Sequence, residues 1–248
     1  MKIKIKNILC MILLPLVLCC CSGNKKTYVL KGKFITEEAG FVVLMEMNGS
    51  GATSLDTIHF STNGKFSAKE NLEEESIFFL QGPNDYILLC PQIGEKIEIK
   101  ANLQDMAETY TIKGSPESLK LKELNAQQVF TRQKQKEMSD MLKQASGDDF
   151  DTLRVRFLQI NNELRKQQRD FLINYIDKNL GSLTTIVALY RQMGGENLID
   201  FKTDLDIYKK VLRGLQSKYP ANKNTKNLEV FIKQVEQLKQ PHKTTQKE

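Results

Sequence analysis

The sequence predicts an α+β protein, with an N-terminal antiparallel β-sandwich or barrel followed by a C-terminal helical region of four to five helices. Eight short runs rich in β-branched and aromatic residues lie between residues 28 and 113, separated by turn residues. After Gly114 the apolar residues recur every three or four positions, which is the period of a helix. At 248 residues, 40% of them hydrophobic, the chain is long enough to bury a substantial core.

The N-terminal half has the alternation expected of strands with one face in a core. Apolar and polar side chains alternate over residues 55–60 and 97–100. Asn63-Gly64 lies between two such runs and predicts a hairpin with a type I′ turn, which requires positive φ at both central residues. The predicted strands are Tyr28–Phe34, Phe41–Met47, Thr53–Ser61, Lys65–Glu70, Ser76–Gln81, Tyr86–Cys90, Lys96–Ala101 and Thr109–Lys113.

The helical half begins with a recognisable start signal. Ser115 can cap a helix, Pro116 suits its first position, and Glu117 is favoured at the positive end of the helix dipole. Glycine and proline residues then mark the ends of further apolar stretches. The first predicted helix runs from Pro116 to about Ala145, and the second spans Phe150–Tyr175. The third is capped by Ser182, includes Met193 and ends at Gly194-Gly195. The fourth spans Leu205–Leu215 and ends before Pro220, and the fifth spans Leu228–Leu238.

The amino terminus has the pattern of a lipoprotein export signal. Three lysines precede an apolar run from Ile8 to Cys20, which is too short to span a bilayer comfortably. Leu18 lies three residues before Cys21, and small residues flank that cysteine, so Cys21 is the predicted lipidation site. Cleavage before Cys20 and an uncleaved anchor helix are the alternatives. The segment after Cys21 lacks an acidic sorting signal, which favours the periplasmic leaflet of an outer membrane.

Charge and cysteine content restrict the function further. Without Lys2, Lys4 and Lys6 of the export signal the formal charge falls from +6 to +3, and the remaining basic residues are interleaved with acids. This pattern does not favour a nucleic-acid partner, which would require clustered positive charge. Cys90 would be the one free thiol after processing, so no intramolecular disulfide is expected. Two histidines and one thiol do not make a zinc site, and no cofactor is predicted.

Few residues are candidates for catalysis. Cys90 is the candidate reactive thiol, but its apolar neighbours favour a buried structural role. His59 alternates with core residues and is expected at the surface or rim. Asp56 is a candidate general base, although an Asp that fixes a turn is the more common case. The carboxylate runs at residues 73–75 and 148–151 lack the spacing of a calcium loop. We therefore assign no catalytic and no metal-binding residue.

The order of several short motifs resembles a known envelope family. Tyr28–Phe34 resembles the opening strand of the N-terminal domain of thioredoxin-like lipoproteins of the TlpA type. Leu55–Ile58 resembles the Asp-Thr strand of that domain, and Asn63–Phe66 resembles the Gly-Lys-Phe hairpin that follows it. Gly94–Ile99 and Ile112–Ser115 resemble its later turn and its exit into a helix. In the helical half, Phe171–Asn179 followed by Ser182 resembles the family's segment before a short helix. The resemblance covers roughly residues 28 to 238.

The catalytic part of those proteins has no counterpart in this sequence. Their activity resides in a later domain with a Cys-x-x-Cys motif, and the resemblance ends before it. The resemblance therefore implies a shared envelope module without thiol exchange by this chain. The expected segments are an export signal at 1–20, an anchor linker at 21–27, a β-domain at 28–114, a helical region at 115–240 and a polar tail at 241–248.

The expected function is that of a non-catalytic, periplasm-facing binding or scaffold lipoprotein. Its partners would be the membrane, through lipidated Cys21, and an envelope thiol–disulfide protein. The alternative is an accessory subunit or truncated member of a thiol–disulfide oxidoreductase system, which would act through Cys90. Activity lost in a Cys90→Ser variant would distinguish the two.

Overall fold

The computed structural model describes residues 26–49 and 51–239, apart from the side chains of Asp148 and Lys239. The predicted export signal, Cys21 and the predicted polar tail lie outside these residues. The strands are β1 Thr27–Ile35, β2 Gly40–Asn48, β3 Gly51–Phe60, β4 Lys65–Asn71, β5 Phe78–Gln81, β6 Tyr86–Leu89, β7 Lys96–Asn102, β8 Thr111–Lys113, β9 Gln192–Met193 and β10 Glu196–Asn197. The helices are α1 Met106–Thr109, α2 Pro116–Gln144, α3 Asp148–Lys178, α4 Thr184–Leu189, α5 Leu205–Lys218 and α6 Lys223–Lys239.

The predicted α+β class is confirmed. Two four-stranded sheets, in the orders β4-β1-β7-β8 and β3-β2-β5-β6, precede the helical region. Every pair in them is antiparallel except β1–β7, which is parallel. The sequence predicted only antiparallel strand pairs, and this prediction is wrong for the pair β1–β7. The chain leaves β1 for β2 and β3 of the other sheet, returns as β4 on one side of β1, and crosses again through β5 and β6 before β7 pairs on the other side of β1. β1 and β7 are thus joined by the long connection that parallel neighbours require.

The two sheets enclose one apolar core. Leu30 and Phe34 of β1 and Leu44 and Leu80 of the opposite sheet belong to the same buried cluster. The ring of Phe34 stacks on Phe66 with 4.8 Å between centroids. Alternate residues of these strands are buried, as the period of two in their sequences predicts. Because the buried faces of the two sheets pack against each other, the domain is a β-sandwich.

A second core joins the helices to the sandwich. Ile87 and Leu89 of β6 face the sandwich core, whereas Leu88 and the following Cys90 belong to a cluster shared with the helices. This strand is covered on both faces, which explains its unbroken apolar run. The helical region therefore packs directly on the β-domain.

Hydrogen bonds fix the start of α6 against the β-domain. The side-chain amide of Asn222 donates to the main-chain oxygen of Glu75 at 2.7 Å. The amide of Asn224 donates to the hydroxyl of Ser76 at 3.3 Å, and both of these residues are buried. These bonds position α6 beside the end of the β2–β3 hairpin.

The chain turns at Asn63-Gly64 as predicted, but the turn joins β3 and β4, which lie in different sheets and share no ladder among the described strands. The predicted hairpin is therefore wrong, and so is its turn type. Gly64 has φ +76°, whereas no other residue type among those described has positive φ, so Asn63 does not adopt the type I′ conformation. The amide of Gly64 instead donates to the oxygen of Ser61 at 2.7 Å, and Ser61 donates to Lys65 at 3.1 Å. This is a three-residue loop with a left-handed glycine.

The third predicted helix is shorter than expected. It ends at Leu189, and Met193 lies in a small hairpin formed by β9 and β10. Gly194 and Gly195 have φ values of +62° and +81°, so they form the turn of this hairpin and not a helix end. Leu238, the last apolar residue of the helix predicted across Leu228–Leu238, is 85% exposed.

The remaining helix predictions are confirmed within a few residues. Ser115 caps α2 through a hydrogen bond from the amide of Ser118 at 3.4 Å. α1 was not predicted, because its four residues carry no helical period. Within residues 26–49 and 51–239, no helix combines the length and the apolar character required to cross a bilayer.

Candidate functional site

Cys90, the candidate reactive thiol, is completely buried directly after β6. Its main-chain amide donates to the hydroxyl of Ser118 at 3.0 Å. Burial raises the pKa of the thiol far above its ordinary value, and the negative charges of Glu117 and Glu95 act in the same direction. The thiolate is the attacking form in thiol–disulfide exchange, so this environment disfavours a nucleophilic role.

Asp56 lies beside Glu70, and the two carboxyl groups share a hydrogen bond between β3 and β4. Asp56 also accepts a hydrogen bond from the amide of Thr57 at 2.8 Å. Burial, together with the nearby charge of Asp56, raises the pKa of Glu70 to about 7. Between pH 4.5 and 7 the pair therefore holds a proton that an isolated Glu would release.

The other candidate residues are not brought together. His59 is exposed on β3, with its ring 6.1 Å from that of Phe41. Glu74 and Glu75 bind the start of α6, and the run at residues 148–151 opens α3. In the part of the chain that the structure describes, no group of three or more His, Cys, Asp or Glu side chains has the arrangement of a metal site.

A sizeable cavity lies between the β2–β3 hairpin and the helices α4 and α6. It is an open groove of about 830 Å³, which we call the hairpin groove. Its two walls converge where a Cβ on Gly49 would lie 3.5 Å from the side-chain nitrogen of Asn227. Its lining residues are Met47, Asn48, Gly49, Gly51, Ala52, Phe79, Ile186, Tyr190, Asn224, Asn227, Leu228, Val230, Phe231 and Gln234.

The chemistry of the hairpin groove is apolar, with amide groups placed around it. None of these lining residues carries a charged side chain. Asn224, Asn227 and Gln234 of α6 each offer both a donor and an acceptor. Such a surface can bind apolar side chains and uncharged hydrogen-bonding groups such as peptide amides, but it holds no pair of groups for acid–base chemistry.

Aromatic packing holds the helical wall of the hairpin groove. The ring of Tyr190 packs edge-on against Tyr208 at 5.9 Å and Phe231 at 6.0 Å between centroids. The hydroxyl of Tyr208 donates towards the main-chain oxygen atoms of Leu189 and Ile199. Tyr190 itself is 42% exposed, and burial of its phenol raises the pKa to about 12. This ring is therefore fixed in orientation, neutral and open to a ligand.

Sequence analysis missed these residues because they come from distant parts of the chain. Tyr190 and Phe231 lie in the apolar stretches predicted as helices, and the structure shows that they both pack and line the hairpin groove. One signal was available on α6, where Val230 is apolar but lies outside the core stripe of Leu228, Ile232 and Val235. It is 53% exposed in the groove wall.

The comparisons with known proteins identify the β-domain but no close relative. No curated protein matches the chain significantly. No solved structure matches it significantly either. Residues 28–121 match the family model described as "Domain of unknown function (DUF4369)", a stretch that contains β1 to β8 and the first residues of α2. The sandwich with its exit into α2 is thus similar to DUF4369 domains, and most of the helical region lies outside the match.

Proposed function

We propose that the protein is a non-catalytic binding module of the cell envelope, anchored through Cys21 and facing the periplasm. Its hairpin groove would hold an extended, uncharged segment of a partner protein. The observation that carries this proposal is that the groove, free of charged side chains, adjoins an open strand edge.

The strand edge supports a peptide as the occupant. β3 is the outermost strand of its sheet and pairs with β2 alone among the described strands of that sheet. Residues 51–57 are exposed, and residues 51–55 contain neither the charges nor the proline with which proteins usually protect such an edge. An extended segment can therefore add its main-chain hydrogen bonds to β3 while its side chains enter the groove.

The environment of Cys90 favours this function over an accessory role in thiol exchange. A buried thiol with a raised pKa neither meets a partner cysteine nor forms the thiolate readily. The resemblance to TlpA-type proteins favours an envelope thiol–disulfide protein as the binding partner. The chain would then hold such a protein at the membrane.

The peptide proposal can be tested with a displayed library of random 12-residue peptides selected on the full chain in detergent. We expect an uncharged consensus, and amide-exchange protection at residues 51–55 when a selected peptide binds. Ala52→Lys and Val230→Lys place a charge in the groove, where it loses hydration on binding, and should weaken affinity at least about tenfold. Ser67→Lys, on an exposed position of β4, is the matched control.

Two outcomes would contradict the proposal. One is a charged consensus among the selected peptides, and the other is equal affinity for the wild type and both groove variants. A change in Ser67→Lys alone would place the peptide on the other sheet.

Anchoring has its own test. Cells that express the full chain are labelled with an alkyne-bearing palmitate, and we expect Cys21→Ser to lose the label whereas Cys20→Ser retains it. Loss in Cys20→Ser would move the anchor to that residue. Label retained in both variants would refute anchoring at either position.

A further inference from the structure

Arg191 carries a guanidinium group that this chain satisfies only in part. Its Nη1 donates to the side-chain oxygen of Gln128 on α2. Its Nε and Nη2 are buried, and neither has a hydrogen-bond partner among the described residues. Buried donors without partners are rare in native proteins, and a guanidinium normally uses all of its N–H groups.

No negative charge compensates for this burial. Across residues 26–49 and 51–239, none of the ion pairs involves Arg191, whereas Arg169 nearby on α3 is paired with Asp204 at 2.8 Å. Burial lowers the pKa of Arg191, and the positive charge of Arg132 adds to this effect. A buried charge without a counter-ion is strongly unfavourable, so the surroundings of Arg191 favour the binding of an anion.

A small cavity beside Arg191 provides space for such an anion. It measures about 180 Å³ and lies between α2, α3 and β9. Its polar lining includes Arg132, Gln128, Gln135, Gln168 and Gln192, and no Asp or Glu belongs to its described lining. This volume corresponds to roughly six water molecules, which suits a phosphate ion or a short dicarboxylate.

We propose that this cavity is a binding site for a small oxyanion, a carboxylate or a phosphate, held by Arg191 and Arg132. The planar guanidinium of Arg191 would bind two oxygen atoms through the donors that now lack partners. Because these donors are covered by packing, binding includes a turn of the guanidinium into the cavity. This site is separate from the hairpin groove and does not depend on the proposed function.

The competing explanation is internal to the fold. The hydroxyl of Tyr110 is also buried without a partner, and it is near enough to Arg191 to influence its pKa. If Tyr110 were the true acceptor, Arg191 would be a structural donor and the cavity would take no anion. The two explanations predict different effects on stability and on anion binding when the charge of Arg191 is removed.

The test measures thermal unfolding of the full chain in detergent with phosphate, succinate or chloride at equal ionic strength. We expect phosphate or succinate to raise the midpoint of the wild type by about 3 °C over chloride, as binding to the native state requires. In Arg191→Met this increase should disappear, while stability in chloride equals or exceeds that of the wild type. Arg154→Met, at an exposed position of α3, is the matched control and should keep the full increase.

The response of the wild type identifies the anion. A midpoint raised by phosphate alone indicates a phosphate site, and one raised by succinate alone indicates a carboxylate site. The proposal is wrong if neither anion raises the unfolding midpoint of the wild type, or if the midpoint of Arg191→Met still rises with the anion. It is also wrong if Arg191→Met and Tyr110→Phe are both strongly destabilised in chloride to the same extent. Should Arg191→Met fail to fold, the Nε–H resonance of Arg191 in the wild type decides the matter. It must shift on addition of the active anion, and a constant resonance would overturn the proposal.

Discussion

Nζ of Lys223 lies 2.6 Å from Oε1 of Glu46, and this ion pair joins the first residue of α6 to β2. The main-chain amide of Lys223 also donates to the carboxylate of Glu74 at 3.1 Å, so an acid from the β-domain caps the helix. A carboxylate at this end of a helix satisfies a free amide and interacts favourably with the helix dipole. One residue thus connects the helical wall of the hairpin groove to the β-domain.

Lys223→Met should therefore lower the free energy of unfolding by about 1 kcal/mol, because it removes a partly buried pair but leaves the cap intact. Urea denaturation measures this loss. A double-mutant cycle with Glu46→Gln should give a coupling of similar size. Lys233→Met, in the exposed pair with Glu229, should leave the free energy of unfolding almost unchanged, because solvent screens this pair. A coupling of zero would mean that the pair with Glu46 does not hold α6.

The shared proton of Glu70 and Asp56 should make stability depend on pH. The pKa of Glu70 in the folded protein, about 7, is above its ordinary value of 4.5, so the native state binds more protons between these values. The free energy of unfolding should then fall as the pH rises from about 4.5 to about 7. Urea denaturation from pH 4.5 to 8 should show a smaller fall of the free energy of unfolding with pH in Glu70→Gln than in the wild type. At pH 8 the Glu70→Gln variant should be more stable than the wild type. Glu73→Gln, an exposed neighbour, should retain the slope.

The thiol of Cys90 should be unreactive in the native protein. Because the side chain is completely buried, alkylation requires unfolding and should be roughly a thousandfold or more slower than in denaturant. Peptide mass spectrometry can follow Cys90 separately from the other cysteines. Cys90→Ser places a hydroxyl in the apolar core and should cost about 1–3 kcal/mol. Rapid alkylation under native conditions would revive the thiol-exchange alternative.

Two glycines offer a matched test of backbone strain and packing. Gly64 has φ +76°, and a Cβ there would lie 1.8 Å from the main-chain oxygen of Phe34. Gly94 has φ +85°, with nothing within 4 Å of a Cβ. Gly94→Ala should therefore cost about 1 kcal/mol for the left-handed conformation alone. Gly64→Ala should cost several times as much, because β4 must also move away from β1. Equal losses in chemical denaturation would contradict the close approach of the Gly64 turn to β1.

Local structure was largely predictable from the sequence, because it depends on neighbouring residues. Alternation and turn residues located all eight strands of the β-domain, and Ser115-Pro116 fixed the start of α2. The parallel pairing of β1 with β7 was not predictable in this way, because neither strand encodes the identity of its partner. The turn at Asn63 was missed because both two- and three-residue loops use glycine.

The candidate sites depend on contacts between distant segments. The hairpin groove combines residues 47–49, 51, 52 and 79 with residues 186–234, and none of these segments alone indicates a cavity. Arg191 lies within a predicted helix and resembles any surface arginine until its neighbours are known. The lipidation signal is the opposite case, since a contiguous motif carries all of its information.

The division of the hairpin groove between two parts of the chain has an evolutionary consequence. Gly49 lies in the stretch that matches the DUF4369 model, whereas Asn227, against which it lies, belongs to α6. A DUF4369 domain fused to another C-terminal segment would keep the hairpin but exchange the opposite wall. The same β-sandwich could then serve many ligands, with selectivity inherited from whatever sequence is appended to it.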